Sequence, residues 1–418
     1  MESLIRNVLA FVIIASIGGV SSTAHADLVL LEVTEHIAPG SSQHSMGIRS
    51  DGTIVIGGVS ENTQSATPRI LQVDSNLRSM NAVDVSNLAG LPSYVGQVSR
   101  NGEWFTIAAL DDVQDRYRAG RGQVSSPNDL DEIANPWSTY WYFPHAIGND
   151  GEFFGSVGNN ISGVRASVGE QLTGFSSTVP FAAYDVSDGG TVMVGLGYNP
   201  SDQITPHREA VVNGASLSNI QHLTDFPHSV SPEYFKPPET SPSGRLITAQ
   251  RWRLELDEEF NVLSYLEAAY YRDNDGIVTN DQLSTDYELI YIIDSLTNLR
   301  YNGWASAITE EWIGGEFFIG QDGNQEAWLM NLSDGSDPIL IRDLLAEAGI
   351  FAPTSLRATS DLRVGPDGKL VALIQGGEGR WFLMKDVTAV PEPSHFGLLA
   401  CIMSIFVASR RNKGVSHI

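Results

Sequence analysis

An all-β architecture of about seven repeats is predicted by three observations on this 418-residue chain. A short apolar strand, an Asp-Gly or Asn-Gly turn and a second apolar strand recur along its length. The turn glycines Gly52, Gly102, Gly151, Gly189, Gly244, Gly315 and Gly368 stand 50, 49, 38, 55, 71 and 53 residues apart. Several copies also end in an aromatic strand, such as Glu326-Ala-Trp-Leu-Met330 and Arg380-Trp-Phe-Leu-Met384. The interval matches one four-stranded propeller blade of roughly 40–50 residues. A β-propeller of about seven blades is therefore expected. Six blades are the alternative, because the copies at Gly244 and Gly315 lack the acidic turn residue, and a β-sandwich or a pair of smaller β-domains is the competing architecture.

At the start of the chain, Arg6 precedes an apolar run, Val8–Val20, and Ala24-His25-Ala26 then offers small residues before Asp27. This charged, apolar and small-residue order is that of a secretory leader, with Ala24 and Ala26 flanking the cleavage point. Residues 1–26 are set aside as a signal peptide, and 27–389 are taken as the repeat domain.

Within that domain, His44–Gly58 places two strands around Asp51-Gly52, and Val95–Ile107 repeats the pattern around Asn101-Gly102. His145–Ser156, Tyr184–Gly195 and Leu362–Leu373 follow it most clearly. Glycine suits these turns because it reaches positive φ without a steric penalty. The best copies resemble HAF-type extracellular repeats: Tyr184–Gly195 with Glu209-Ala-Val-Val212, then Leu362–Leu373 with Trp381-Phe-Leu-Met384. That resemblance implies a fold and supplies no catalytic residues.

Two stretches break the rhythm. Tyr117–Tyr142 reads as an insertion ending in Trp137, Tyr140, Trp141 and Tyr142. Aromatic rings with polar tips either staple a core or stack on a sugar, so these four are candidate ligand-binding residues. Leu254–Tyr301 is the second interruption and contains Asp273-Asn-Asp-Gly-Ile-Val-Thr-Asn-Asp281. Asp273 and Asp275 are the only calcium candidates. Against them, the first and twelfth loop positions hold Tyr271 and Gln282, where an acidic residue and a bidentate carboxylate are needed. A solvated Asx turn is the alternative, and no cofactor is otherwise expected. Pro338–Ala348 predicts the single helix, with Asp337 as N-cap and Gly349 as stop.

Catalytic templates fail. The chain has no Gly-x-Ser-x-Gly elbow and no His-Glu-x-x-His helix, and Gly365-Pro-Asp-Gly-Lys369 lacks the spacing of a phosphate loop. Its 50 Asp and Glu against 25 Lys and Arg, a net charge of −25, disfavour nucleic acid and anionic membrane surfaces as partners. The one cysteine, Cys401, lies beyond the repeats, so the folded part has no disulfide and depends on burial.

The chain ends on Val390, Pro391, Glu392, Pro393 and Ser394, then the apolar run Phe396–Ala408, then Arg410, Arg411 and Lys413. As a helix that run spans about 20 Å, short of the ~30 Å hydrocarbon core. The arginines would hold its end on the cytoplasmic side, leaving the repeat domain outside. Residues 390–413 closely resemble a PEP-CTERM sorting signal, a motif, short transmembrane helix and basic cluster in that order. The resemblance implies Sec export, transient inner-membrane insertion and processing by an exosortase-type transpeptidase in a host that makes extracellular polysaccharide. A plain C-terminal anchor is the other reading. The expected molecule is thus an envelope or extracellular protein, either a non-enzymatic propeller that binds polysaccharide or protein, or a secreted polysaccharide hydrolase or lyase with carboxylates at the propeller channel.

Overall fold

The computed structural model describes residues 28–36, 45–57, 67–111, 116–134, 142–157, 162–171, 173–174, 181–198, 207–213, 220–223, 238–256, 262–274, 287–319, 324–352 and 354–385. Val29–Asp386 forms one compact unit. The leader, Ala24 and Ala26 included, and the whole 390–413 segment lie outside the described residues, as do Trp137, Tyr140, Trp141 and Asp275.

The described residues form seven separate antiparallel sheets, as an all-β repeat requires. The first holds β2 (Ser45–Ile48), β3 (Ile54–Gly57), β4 (Arg69–Val73) and β5 (Met80–Asp84). The second holds β6 (Ser93–Val98), β7 (Trp104–Asp111), β8 (Arg116–Gln123) and β9 (Ser126–Glu132). The third holds β10 (Tyr142–Ile147), β11 (Phe153–Val157), β12 (Ser162–Ala166) and β13 (Thr173–Gly174). The fourth holds β14 (Phe181–Val186), β15 (Val192–Tyr198), β16 (His207–Asn213) and β17 (Ile220–His222). The fifth has three strands, β18 (Leu246–Leu256), β19 (Val262–Asp273) and β20 (Tyr287–Tyr291). The sixth holds β21 (Gly303–Ile308), β22 (Trp312–Ile319), β23 (Asn324–Asn331) and β24 (Ile339–Leu340). The seventh takes β25 (Leu356–Val364), β26 (Leu370–Gly376) and β27 (Trp381–Lys385) from the end of the chain, and its fourth strand, β1 (Val29–Glu32), from the start.

The fifth sheet has three strands only in the formal sense. Thr240 bridges Ile247, and Thr248 N–H donates to Glu239 O at 2.8 Å, so 239–241 stands where other sheets begin with a full strand. That reduction makes β18, β19 and β20 the second, third and fourth members of their sheet.

Neighbouring sheets touch one another in sequence, and the seventh touches the first. Ile48 N–H donates to Arg100 O at 2.9 Å between the first and second, and Asn101 N–H to Asn149 Oδ1 at 2.9 Å between the second and third. His145 of the third lies 4.5 Å from Tyr184 of the fourth, ring to ring. Asp188 N–H reaches Pro242 O at 2.9 Å, and Ser243 N–H reaches Glu310 Oε1 at 2.6 Å. Ser306 Oγ donates to Thr359 O at 2.6 Å, joining the sixth to the seventh, and Met46 N–H donates to Asp361 Oδ2 at 2.7 Å, joining the seventh to the first. Apolar clusters fill the gaps between sheets. Ile54, Leu71, Leu373 and Trp381 pack between first and seventh, Val55, Ile70, Phe105 and Ile107 between first and second, and Tyr270, Phe317 and Trp328 between fifth and sixth. Each sheet buries a face against its neighbour because a single sheet cannot bury its own apolar side.

Four expectations are corrected. Tyr117–Tyr142 is no insertion, since it carries β8, β9 and the start of β10, and Leu254–Tyr301 likewise carries the strands of the fifth sheet. The helix, α1, runs over Ile341–Glu347, with Leu340 at its N-cap and no side-chain cap. Asp337 instead accepts hydrogen bonds from Ser295, which draws it away from the helix start. Gly349 does follow the helix at positive φ, 73°. Two turn glycines are corrected below.

Candidate functional site

Each sheet turns from its first to its second strand at one end, and one geometry recurs there. In the first sheet Gly52 N–H donates to Arg49 O at 2.8 Å, and Arg49 N–H to Thr53 O at 2.9 Å. Asp51 Oδ1 accepts the Thr53 N–H at 2.9 Å, so the acidic residue closes the turn while glycine supplies φ 84°. Gly102, Gly151, Gly244 and Gly368 take the same place at φ 67°, 84°, 81° and 75°. In the fourth sheet the positive φ, 66°, falls on Gly190 rather than Gly189, because Gly190 is the residue whose N–H donates three residues back, to Ser187 O, as Gly52 does to Arg49 O. In the sixth the turn is Thr309–Trp312 and has no glycine. Gly315 lies inside β22, where its lack of Cβ admits Trp304 O, which would stand 2.0 Å from a Cβ.

These turns line a single cavity of about 480 Å³, to which all seven sheets contribute. Ile48, Arg100, Asn149, Asp188, Pro242, Glu310 and Arg363 come from the first, second, third, fourth, fifth, sixth and seventh in turn. Seven turns meeting at one hollow define a mouth.

Two of the lining residues, Arg100 and Arg363, are buried arginines that carry a charge network between the sheets. Arg100, 9% exposed, donates from Nε to Val186 O at 3.1 Å and from Nη2 to Thr240 O and the Asp185 carboxylate. Asp185 Oδ2 also accepts the Thr240 N–H at 2.9 Å. Arg363 donates from Nε to Met46 O at 2.9 Å and pairs through Nη1 with Asp361 Oδ1 at 2.5 Å. One brace thus ties the second, fourth and fifth sheets, and another ties the seventh to the first.

Glu239 adds a third carboxyl to Asp185 and Asp361. Burial first, then the charges of Asp361 and Asp185, push its carboxyl well above the usual carboxylate range. Asp361 is also raised, by burial, with Arg363 opposing. His145, in the third sheet, donates to or accepts from Ser156 Oγ at 2.7 Å, and burial lowers its imidazole to about 4, so it is neutral at pH 7.

Sequence reasoning missed Arg100, Asp185, Glu239, Asp361 and Arg363. For Asp185 and Arg363 the available signal was a charge two residues before the turn, where sister copies carry Gly47, Ala146 and Ala307. Of the residues it did name, Tyr142 opens β10 opposite Val157. Asp273 closes β19, is 2% exposed and forms an ion pair with Arg245 at 3.8 Å, a strand residue rather than part of a solvated loop. Among the described residues no group of three His, Cys, Asp or Glu side chains is placed to hold a metal ion, and no helix is long and apolar enough to cross a membrane.

No family model and no curated protein matches the chain. Solved structures of similar shape include a streptogramin B lyase, at 12% identity over 87% of this chain and 99% of that one, TM-score 0.47. The polysaccharide lyase Uly1 is similar at 10% identity over 83% and 90%, TM-score 0.44. The β-propeller domain of the trilobed protease from Pyrococcus furiosus is similar at 7% identity over 80% and 78%, TM-score 0.34. At such identities no residue or activity transfers from them.

Proposed function

We propose that the chain is an exported, seven-bladed β-propeller, sorted to the cell envelope by its PEP-CTERM-like tail, that binds a polysaccharide or protein rather than transforming one. The observation that carries the propeller is the convergence of turns from seven sheets on one cavity, with each sheet in contact with the next and the last with the first. The engagement of the inner charges supports binding without catalysis. Arg100 and Arg363 donate to backbone carbonyls, and Asp185 and Asp361 accept backbone N–H groups, so these four brace the ring and are not held ready for a substrate.

Intact mass of the protein recovered from its own host tests the sorting. A chain ending near Pro393 is expected, and one retaining Arg410 and Arg411 leaves a plain anchor. Retention on acidic and neutral polysaccharides, with Trp141→Ala as the comparison, tests the carbohydrate form of binding; passage of the wild type through every matrix removes it.

One observation favours the alternative, a secreted polysaccharide hydrolase or lyase. Burial and the neighbouring Asp361 and Asp185 push the Glu239 carboxyl well above the usual carboxylate range, the direction a general acid needs. New reducing ends or unsaturated products from any acidic polysaccharide, abolished by Glu239→Gln, would establish that reading in place of the first.

A further inference from the structure

The mouth cavity, about 480 Å³, falls in the size range of small-molecule sites, roughly 300–1,000 Å³. Arg100 and Arg363 line it, and both guanidiniums are largely spent inside the fold. Arg100 pairs with the Asp185 carboxylate, and Arg363 Nη1 with Asp361 Oδ1 at 2.5 Å. Arg100 reaches from the second sheet past the third to the fourth, so this pair floors the cavity. One donor is left over. Arg100 is nine-tenths buried, yet its Nη1 has no hydrogen-bond partner among the described residues. A buried N–H without an acceptor costs free energy that a ligand oxygen can recover. The walls carry Asp188, Glu310 and Glu311. Asp188 Oδ1 stands 4.0 Å from Arg100 Nε, Glu310 Oε1 accepts the Ser243 N–H at 2.6 Å, and among the described residues neither Glu310 nor Glu311 forms an ion pair. Asn149 Oδ1 accepts the Asn101 N–H at 2.9 Å, which leaves the amide nitrogen as a further donor.

Resting on the carbohydrate form of the binding proposed above, we propose that the mouth is a site for a neutral sugar, whose hydroxyls accept from Arg100 and Asn149 and donate to Asp188 and Glu310, and that it turns uronates away. Charge decides the class. A uronate could accept from Arg100 Nη1, but it would meet Asp188, Glu310 and Glu311 on the walls and Asp185 and Asp361 behind them, five carboxyls against two guanidiniums already engaged. Salt screens such repulsion less in a partly buried cavity than on an open surface. An ammonium fails from the other side, since it cannot accept from Nη1 and adds a third cation beside the two guanidiniums. A hydroxyl is uncharged and both donates and accepts, so it suits both sets of groups. The bonds that brace Arg100 also fix Nη1 before a ligand arrives, which lowers the ordering cost of binding.

Dissociation constants of the full-length chain are measured at about 0.15 M salt for soluble oligosaccharides of three classes, neutral hexoses, uronates and amino sugars. The tightest neutral member is expected to bind about tenfold or more tighter than any member of the other two classes. Arg100→Lys keeps a cation against Asp185 but loses the fork that carries Nη1, and should weaken neutral binding about tenfold, the scale of one charge-assisted hydrogen bond. The triple variant Asp188→Asn, Glu310→Gln, Glu311→Gln changes only exposed residues and keeps their acceptor oxygens, so it reads the site even if Arg100→Lys fails to fold. It is expected to admit uronates. Preference of the wild type for a uronate or an amino sugar, neutral binding untouched by Arg100→Lys, or a triple variant that still excludes uronates overturns the neutral-sugar site and leaves carbohydrate binding standing. No binding in any class overturns the carbohydrate reading and the site with it.

Discussion

Arg100 shows how one side chain can serve three sheets. Its guanidinium draws Asp185 and the Thr240 carbonyl together, and it opposes the upward shift that burial and the charges of Asp361 and Asp185 impose on the Glu239 carboxyl. A carboxyl whose native pKa is raised stabilises the fold below its unfolded pKa, and that contribution is lost as pH rises through the native value. Stability is therefore expected to fall as pH climbs above the ordinary carboxylate range, and Glu239→Gln should flatten that decline. His145 acts in the opposite sense. Its pKa is lowered from 6.5 to about 4, so the unfolded chain binds the extra proton first and stability falls as pH drops between those values, by about 3 kcal/mol. Because the two slopes oppose each other above pH 4.5, urea unfolding should show His145→Gln declining from there upward and Glu239→Gln rising up to pH 6.5. A profile unchanged by His145→Gln would assign the acid side to other groups. None of these partners was legible in the sequence, since Arg100, Asp185 and Asp361 meet across 85 residues or more.

At the level of the element, the repeated turn was legible because it is local: the glycine, the acidic residue before it and the apolar strands are neighbours in sequence. The strands that escaped notice lack alternation. β8 reads RYRAGRGQ and β9 reads SPNDLDE, an outer strand with little to bury, so both passed for an insertion. The helix start moved because Asp337 has a partner 42 residues away in Ser295. Glycines in this fold answer two separate demands, and mutation should separate them. Gly47, in β2, faces the next sheet, where a Cβ would stand 2.1 Å from Ser99 O, while Gly368 has positive φ and open space around it. Gly368→Ala is expected to cost about 1–2 kcal/mol of backbone strain. Gly47→Ala should cost more than 3 kcal/mol or prevent folding, because backbone cannot move aside as a flexible side chain does. Equal losses in the two variants, read by denaturant midpoint, would show that the sheets have slack between them.

For the whole molecule, the decisive contact is the pairing of β1 with β27, which joins the two ends of the chain and makes the seventh sheet four-stranded. The sequence gives no sign of it, because a four-residue strand beside the leader has no local reason to pair with one some 350 residues later. Val33 N–H donating to Trp381 O at 2.9 Å and Trp381 N–H donating to Thr34 Oγ1 at 3.0 Å extend the same seam. Without β1 the seventh sheet would present β27 as a bare edge, while the first and seventh sheets would keep the contacts of Met46 with Asp361 and Arg363 and the packing of Ile54 and Leu71 on Leu373 and Trp381. A chain truncated to begin at Val33 is expected to melt roughly 5–10 °C below one truncated to begin at Asp27, on the scale of a few degrees per kcal/mol for a domain of this size. Its β27 amides should also lose hydrogen-exchange protection before those of β7 or β22. Glu32→Gln, which removes only the exposed pair with Arg380, should shift melting by less than about 2 °C. If the truncated chain melts with the full one and keeps β27 protected, the ring is held by its sheet-to-sheet bonds alone, and the N-terminal strand is dispensable for closure.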